Sequence, residues 1–452
     1  MTTKQIEEYI NQHPSGKVKL AAADIDGILR GKYISVEKFK TAMQGGLGFC
    51  DVVFGWDAAD VAYDHAAFTG WHTGYPDMSL KLDLHTFRKI PWENDVPFFL
   101  GDFIDEQGTA SPICPRQLLQ RIIIQGQQQG FTAFFAQEFE WFNFSETPDS
   151  LAQKGYQDPK PLTPGMFGYS ILRSTLKNEY ITDLFELLKK FAIPLEGLHT
   201  ETGPGVYEAA ITYSDALEAA DRAVLFKTAV KEIAYKHGIL ASFMAKWNAS
   251  LPGCSGHVHQ SLWDSEGKRN LFYDADEEHG MSSTMQQYVA GQLFCLPFIL
   301  PLLAPTVNSY KRLVEGAWAP TTLTWGLDNR TVALRVLAGS AKASRLETRV
   351  VGSDTNPYLA MAACLAAGLY GIRYGLKLEQ PATKGNGYRD DRHGRLPENL
   401  YEATLKMKYS EVAKELFGET FVDHFCSTRE WEWQQFCKAV TDWELKRYFE
   451  II

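Results

Sequence analysis

The fold of this chain is decided by GSAKASRLETRVVGSDTNP, residues Gly339–Pro357. In this segment Arg345, Glu347 and Arg349 alternate with uncharged residues. Such a period of two predicts a β-strand that carries the three charges on one face. Burying that face costs free energy unless its charges are compensated, so this face and the nearby Lys342 favour a bound anion and a metal ion. A solvated sheet face with exposed ion pairs is the alternative.

The residues after this segment favour burial. The strand runs into Asn356 and Pro357, and an almost wholly apolar stretch follows from Tyr358 to about Leu376. Proline suits the first turn of a helix, and a helix that is apolar on all sides is buried. We therefore expect the charged face that precedes this helix to be buried as well.

Length and composition limit the class of protein. The chain has 452 residues, 45% of them hydrophobic, which is enough for two domains with their own cores. The net charge is -10 and there is no basic run, which argues against nucleic-acid binding. The seven cysteines are widely spaced without a CxxC pair, which argues against a disulfide framework or a zinc site.

Neither a secretory signal nor a membrane segment is expected. The N-terminus MTTKQIEEYI has no apolar core segment, and the longest apolar runs are short or interrupted by proline, as in Phe294–Pro305. The sequence therefore predicts a cytoplasmic protein that does not bind membranes.

Two domains are predicted, residues 1–106 and residues 107–452. The first has the pattern of a small mixed domain with a hairpin and short strands, among them Phe49–Phe54. The second opens with a helix from Pro115, followed by the strand pattern of Phe131–Phe144.

Acidic residues in the second domain come in pairs. Glu138 and Glu140 are two residues apart on a predicted strand, so both carboxylates point to one face, about 7 Å apart. A divalent cation would offset their repulsion, and an edge strand with its acidic face in water is the alternative. Glu201 and Glu208 stand at the two ends of a loop that contains glycines and a proline. That loop alone is a weak signal.

Two histidines add to this set. His257 and His259 follow a glycine-rich segment with a period of two, so their imidazoles share a face. A lone His-x-His pair is more often packed in a core or exposed than bound to a metal. With four acids upstream and Glu347 downstream, a metal site becomes the better interpretation.

Taken together, the motifs resemble the glutamine synthetase family, most of all its γ-glutamyl amine ligases of the γ-glutamylpolyamine type. The matching motifs, in the family's order, are Glu138 and Glu140, Glu201 and Glu208, His257 and His259, Asn308–Leu313, Asn329 with Arg330, and Arg345 with Glu347 and Arg349. The resemblance implies an α+β fold. A small N-terminal β-grasp-like domain would precede a large catalytic domain with a curved antiparallel sheet flanked by helices.

The resemblance also implies residue roles. One divalent ion would be held by Glu140, Glu201 and Glu208, and another by Glu138, His257 and Glu347. ATP would contact His259, Ser261, Lys342 and Arg345. Glutamate would contact Gly253 and Arg312. The transferred phosphate would be stabilised by Arg330, Arg335 and Arg349. Two or three Mg²⁺ or Mn²⁺ ions per site and ATP as co-substrate are therefore expected.

The sequence departs from the ammonia-using members of the family. Trp318 stands six residues after Arg312, where the glutamine-forming enzymes place a glutamate that takes a proton from ammonium. We expect Trp318 to line a pocket for an apolar or aromatic amine, and core packing is the alternative. Val206 replaces a glutamine found in many members, with a consequence that the residue types do not reveal. The family's aspartate at the ammonium site, which a neighbouring subunit contributes, aligns with Asp57, and Asp60 competes for this assignment.

The resemblance implies ligation of the γ-carboxylate of glutamate to an organic amine, with ATP, through γ-glutamyl phosphate. The alternatives are an ordinary glutamine synthetase that uses ammonia and a non-catalytic structural member of the family. It also implies a homo-oligomer, a dodecamer of two hexameric rings with sites between subunits.

Overall fold

The structure is a computed structural model that describes residues 1–64, 66–105 and 107–452. Within these ranges the strands are β1 (Lys17–Ala23), β2 (Leu29–Ser35), β3 (Leu47–Cys50), β4 (Asp77–Ile90), β5 (Val96–Ile104), β6 (Thr132–Phe144), β7 (Leu195–Thr200), β8 (Val206–Ile211), β9 (Ser214–Asp215), β10 (Leu240–Ser242), β11 (Gly256–Trp263), β12 (Trp325–Leu327), β13 (Leu334–Leu337) and β14 (Arg345–Thr348).

The α-helices of the same ranges are α1 (Thr3–Gln12), α2 (Val36–Gly45), α3 (Pro115–Gln128), α4 (Pro148–Gln153), α5 (Ile171–Thr175), α6 (Asn178–Lys190), α7 (Ala216–Lys236), α8 (Ser283–Leu303), α9 (Ser309–Arg312), α10 (Pro357–Arg373), α11 (Leu400–Lys408), α12 (Glu411–Phe417), α13 (Glu419–Lys438) and α14 (Asp442–Tyr448). Short 3-10 helices span Asp51–Phe54, Pro91–Glu93, Glu278–Gly280 and Gly387–Arg389.

The first sheet is built from β1 to β5 in the order β2-β1-β5-β4-β3. β1 and β2 form the predicted antiparallel hairpin, and β1 also pairs in parallel with β5. Helix α2 packs on this sheet, where the rings of Phe39 and Phe99 stack 5.1 Å apart. The strand order is consistent with the β-grasp-like domain, which stays a prediction in its details.

One element of this part was predicted wrongly. β3 ends at Cys50, and residues 51–54 form a 3-10 helix instead of a strand. Val53 and Phe54 are consecutive and both buried. A strand would turn such neighbours to opposite faces, whereas the tight turn buries both in the same core.

The second sheet runs in the order β12-β13-β14-β11-β6-β8-β7, and β9 and β10 also pair with β6. Its pairs are antiparallel except for β12 with β13, which are parallel. Helix α7 packs against β6, and α10 packs against α3, α7 and α8. The predicted α+β fold with flanking helices is confirmed. The predicted boundary at Glu106 lies outside the described residues, so the division of the chain there stays a prediction.

The apolar helices α8 and α10 form the centre of the larger core. In α10 nearly every residue is buried, as expected from its composition. The glycines at 291 and 371 let the two backbones approach closely, since a Cβ at Gly371 would lie 2.1 Å from the carbonyl oxygen of Gln287.

Helix α8 is long and apolar enough to cross a membrane, but 67% of its most apolar window is buried in the protein, as in a core helix. Pro297 and Pro301 lie inside α8 and do not interrupt it.

Candidate active site

Four neighbouring strands gather the predicted site residues on one face of the second sheet. In the strand register, His257 is opposite Glu138, His259 is opposite Glu347, and Arg335 is opposite Glu347 on its other side. Because alternate residues share a face, these pairings place acids, imidazoles and a guanidinium side by side. Glu347 is 1% exposed and His257 is 4% exposed, so the alternative of a solvated face does not hold.

Glu347 is the centre of this charged cluster. One of its carboxylate oxygens accepts from Arg335 at 2.9 Å, and the other accepts from Arg349, which lies in the turn just after β14. Burial opposes ionisation of Glu347. Electrostatic interactions with His259, Arg349, His257 and Arg335 outweigh this effect and lower the pKa of Glu347 to about 2. The carboxylate is therefore charged at any physiological pH.

His257 has the properties of a metal ligand. Both of its ring nitrogens are buried without a hydrogen-bond partner, and Nδ1 lies 3.6 Å from Glu138 and 3.4 Å from Glu347. Burial, aided by the charge of Arg349, lowers the pKa of His257 to about 4, so the ring is neutral. A neutral imidazole between two carboxylates fits the predicted ion at Glu138, His257 and Glu347.

The second group of acids contains a histidine that sequence reasoning missed. His199, Glu201 and Glu208 offer ligand atoms that all lie within 4.8 Å of one another among the described residues. Nε2 of His199 is 3.0 Å from Glu208, and the ring stacks on Tyr169 at 4.2 Å. The sequence signal was His199-Thr-Glu201, a His-x-Glu spacing at the end of a strand.

The acids of this group crowd one another. Burial, followed by the charges of Glu138 and Glu140, raises the pKa of Glu208 to about 11. Burial also raises the pKa of Glu140 to about 7, although its Oε2 accepts the amide N–H of Ser255 at 2.7 Å. A divalent cation would supply the missing positive charge, and oxygen with imidazole donors suits Mg²⁺ or Mn²⁺. The residues present thus fit the metal ions that the resemblance implies.

A cavity of about 290 Å³ opens beside Glu138. The residues predicted to contact ATP all line it, namely His259, Ser261, Lys342 and Arg345. Nε of Arg345 donates to Nδ1 of His259 at 3.2 Å. Phe134 and Trp263 form an aromatic wall, with ring centres 5.6 Å apart. This cavity has both apolar and cationic lining, as a nucleotide requires.

The residues predicted to contact glutamate also meet. Arg312 is 1% exposed, and it donates to the hydroxyl of Ser255 at 3.2 Å and to the carbonyl of Val350. Gly253 lies against it, since a Cβ there would be 2.7 Å from Cγ of Arg312. Val206 lies in a small apolar cluster that also contains Phe142 and Cys254, the residue after Gly253.

Trp318 and Arg330 are exposed. The side chain of Trp318 is 55% exposed in a turn with φ 57°, so the core-packing alternative does not hold. Glu315 of the same turn pairs with Arg389 at 2.9 Å. Arg330 acts electrostatically on Tyr169, which places it near the group around His199.

Asp57 lies away from this cluster within the chain. It lines another cavity, of about 430 Å³, whose lining shares no described residue with the cavity beside Glu138. Its competitor Asp60 forms an ion pair with Arg30 at 2.8 Å. Within this chain, Asp57 therefore does not line the cavity that the predicted ATP-binding residues share.

Clustered acids, imidazoles and arginines beside a cavity of this kind define the site of a metal-dependent enzyme that handles phosphate groups. The family model described as "Glutamine synthetase, catalytic domain" matches residues 112–448. The chain belongs to the glutamine synthetase family and is an ATP-dependent ligase. Ligases of this family use divalent metals, glutamate, ATP and ammonia or an amine.

Curated relatives cover almost the whole chain. It is 55% identical over 438 residues to type-1 glutamine synthetase 2 of Dictyostelium discoideum, covering 96% of this chain and 84% of the relative. It is 36% identical to the glutamate–isopropylamine ligase of a Pseudomonas species, covering 99% and 98%. It is also 36% identical to the γ-glutamylethanolamide synthetase GlnA4 of Streptomyces coelicolor, covering 96% and 92%.

A solved structure shares the fold. A GmaS/ADP complex superimposes with a TM-score of 0.84 at 27% identity, covering 98% of this chain and 99% of the other. The predicted family is thus confirmed, and γ-glutamyl amine ligases are among the relatives.

Proposed function

We propose that this chain is a γ-glutamyl amine ligase, which uses ATP to join the side-chain carboxylate of glutamate to an organic amine. Trp318 carries the proposal. It replaces the glutamate expected to take a proton from ammonium, and its exposed indole offers a flat apolar surface. Stacking a ring or a cation on such a surface stabilises binding by about 0.5–2 kcal/mol, which ammonium alone would largely forgo.

The reaction needs two steps because an oxide ion is a poor leaving group. The γ-carboxylate of glutamate first takes the terminal phosphoryl group of ATP, and ADP leaves. The amine nitrogen then attacks the acyl carbon, phosphate leaves, and the nitrogen loses a proton. Arg312 and Gly253 would hold glutamate for both steps. Arg330, Arg335 and Arg349 would neutralise the charge of the transferred phosphoryl group.

The metal ions would supply further positive charge at the phosphates. Glu138, His257 and Glu347 are proposed to hold one ion, and Glu140, Glu201 and Glu208 another, with His199 beside the latter. Mg²⁺ or Mn²⁺, two or three per site, suits these donors. The cytoplasm, where ATP and glutamate are available, is the proposed location.

The proton acceptor in this proposal is Asp57 of an adjacent subunit in a dodecamer of two hexameric rings. An alkylammonium has a pKa near 10.4, so it must lose a proton before it attacks at neutral pH. If sites are shared, mixed rings of Glu347→Ala and Asp57→Ala chains regain activity that neither variant has alone. Properly reassembled mixed rings that stay inactive would contradict shared sites.

A glutamine synthetase that uses ammonia is the second candidate. The 55% identity to a protein named as a glutamine synthetase favours it. In that case Trp318 does not select the nucleophile, and another group takes the proton.

An amine screen separates the two candidates. Phosphate release that depends on glutamate is measured with ammonium and with a panel of alkyl and aryl amines, and the amide product is identified by mass spectrometry. We expect higher kcat/KM for an organic amine. Higher kcat/KM for ammonium than for every amine would favour the second candidate.

Trp318→Glu tests the residue that carries the proposal. It is expected to lower kcat/KM for bulky amines and to raise kcat/KM for ammonium. Tyr235→Glu, at a similarly exposed aromatic position on α7, is expected to change neither value. Unchanged values in Trp318→Glu would show that the indole does not line the amine site.

A further inference from the structure

Asp57 is held in a tight turn by its own backbone. Its Oδ1 accepts the amide N–H groups of Ala59 at 2.9 Å and Val61 at 3.0 Å. Its backbone N–H donates to the carbonyl of Val61 at 2.9 Å, and Asp60 takes a left-handed conformation with φ 61°. These contacts satisfy Oδ1 and leave Oδ2 available to another donor.

Oδ2 meets a residue from the other end of the chain. The indole N–H of Trp431, on α13, donates to Oδ2 of Asp57 at 2.9 Å. The indole is 9% exposed and packs edge-on against Tyr63, with ring centres 5.9 Å apart. A buried, aromatic-packed indole leaves its N–H few alternatives, so its position fixes that of the carboxylate.

Two further contacts bind the same helix to this region. Arg429, which is fully buried, donates to Asp26 at 2.5 Å and to the carbonyl of Pro305 at 2.7 Å. The ring of His424 lies 6.1 Å from that of Phe68, edge-on. Among these contacts, only that of Trp431 reaches the carboxylate of Asp57.

We propose that Trp431 is a positioning residue. Its indole N–H holds the carboxylate of Asp57 in the orientation in which it meets the amine or ammonium in the site of an adjacent subunit. This inference rests on the proposed role of Asp57 as proton acceptor. It adds that Trp431, on α13 and outside the metal-binding face, sets the affinity of the enzyme for the amine or ammonium. Glutamate and ATP bind elsewhere and do not depend on it.

Trp431→Phe removes the N–H donor and keeps an aromatic ring to pack on Tyr63. Trp433→Phe is the matched control, because Trp433 is on the same helix and stacks on Tyr401 at 5.8 Å instead. The nucleophile is whichever amine or ammonium salt gives the highest kcat/KM with the wild-type holoenzyme. Trp431→Phe loses the hydrogen bond to the carboxylate of Asp57, and this loss is expected to raise the KM for the nucleophile about fivefold or more. The KM values for glutamate and ATP stay unchanged, and Trp433→Phe behaves as wild type.

A double-mutant cycle separates positioning from general packing. In an Asp57→Ala background, which has lost the acceptor, Trp431→Phe is expected to have no further effect on the affinity for the nucleophile, which is measured by calorimetry without ATP because that background does not turn over. An equal effect in both backgrounds would overturn the proposal, because Trp431 would then act without Asp57.

Hydrogen exchange at residues 57–61 gives a readout that needs no turnover. Trp431→Phe is expected to speed exchange of the amides of Ala59 and Val61 in the assembled enzyme, and Trp433→Phe is not. Unchanged exchange in Trp431→Phe would overturn the proposal even in an active enzyme. If exchange rises but the KM of the nucleophile does not, Trp431 holds the turn without serving the site, and the proposal fails. If wild-type enzyme ligates neither amine nor ammonium, the proposed function fails, while exchange still decides whether Trp431 holds Asp57.

Discussion

Replacing Gly253 by alanine puts a methyl group where the structure has no room for one. A Cβ at this position would lie 2.4 Å from the carbonyl oxygen of Ala245 and 2.7 Å from Cγ of Arg312. The carbonyl oxygen is fixed, because it accepts the amide N–H of Cys254 at 2.8 Å. The stem of Arg312 must therefore move, and its guanidinium moves with it.

The size of the effect follows from the overlap. Overpacking a close-packed region costs about 1–3 kcal/mol. If that cost falls on the position of Arg312, glutamate binds about five- to 150-fold more weakly. ATP contacts other residues, so its KM is expected to stay within about twofold of the wild-type value.

The assay is the KM for glutamate in phosphate release, with thermal unfolding measured in parallel. Gly339→Ala is the control, since a Cβ at Gly339 meets nothing within 4 Å and its φ is not positive. We expect a raised KM for glutamate in Gly253→Ala and none in Gly339→Ala. A Gly253→Ala enzyme with wild-type KM for glutamate and wild-type Tm would refute the assignment of the Gly253 and Arg312 pair to substrate binding.

Three further predictions concern the charged groups. Glu347→Gln leaves the buried Arg349 without its counter-charge and Arg335 with Asp328 alone. It should abolish ligation and lower the free energy of unfolding by about 3–5 kcal/mol in urea titrations, whereas the exposed Glu415→Gln should lower it by less than about 1 kcal/mol. His199→Ala should weaken Mn²⁺ binding about 10- to 100-fold in calorimetry, whereas the exposed His85→Ala should leave it unchanged; equal affinities would remove His199 from the site. Burial and the charge of Lys231 lower the pKa of Lys227 to about 7, so the folded chain binds fewer protons than the unfolded chain between pH 7 and 10.5, and its free energy of unfolding rises with pH there. Lys227→Met should reduce that rise by about 5 kcal/mol, and a slope identical to wild type would contradict the shifted pKa.

The face that carries Glu138, His257 and Glu347 could be predicted from sequence. Period-two charge patterns fix which face of a strand each residue occupies, and the apolar residues of α10 indicated burial. The family motifs then assigned these residues to one site, whereas the pairing of β6, β11 and β14 is seen only in the structure.

His199 could not be found in this way. It faces Glu208 because β7 pairs with β8 in one particular register, with a shift between Leu195 and Gly197. Such a shift depends on contacts that are distant in sequence.

Residues 51–54 were mistaken for a strand because an apolar run does not distinguish a strand from a tight helical turn. Packing of α8 against α10 likewise outweighs the helix-breaking tendency of Pro297 and Pro301, which composition alone does not reveal.

The contact between Asp57 and Trp431 also has a consequence for biosynthesis. The two residues are 374 positions apart, and Asp26 is 403 positions from Arg429. At about 5–20 residues per second, a ribosome makes the turn around Asp57 roughly 20–75 s before it makes α13. A nascent chain stalled before α13 already contains Glu138, His257 and Glu347, yet Asp57 and Asp26 still lack the indole of Trp431 and the guanidinium of Arg429. A helix that is synthesised late thus supplies partners for side chains that are synthesised early.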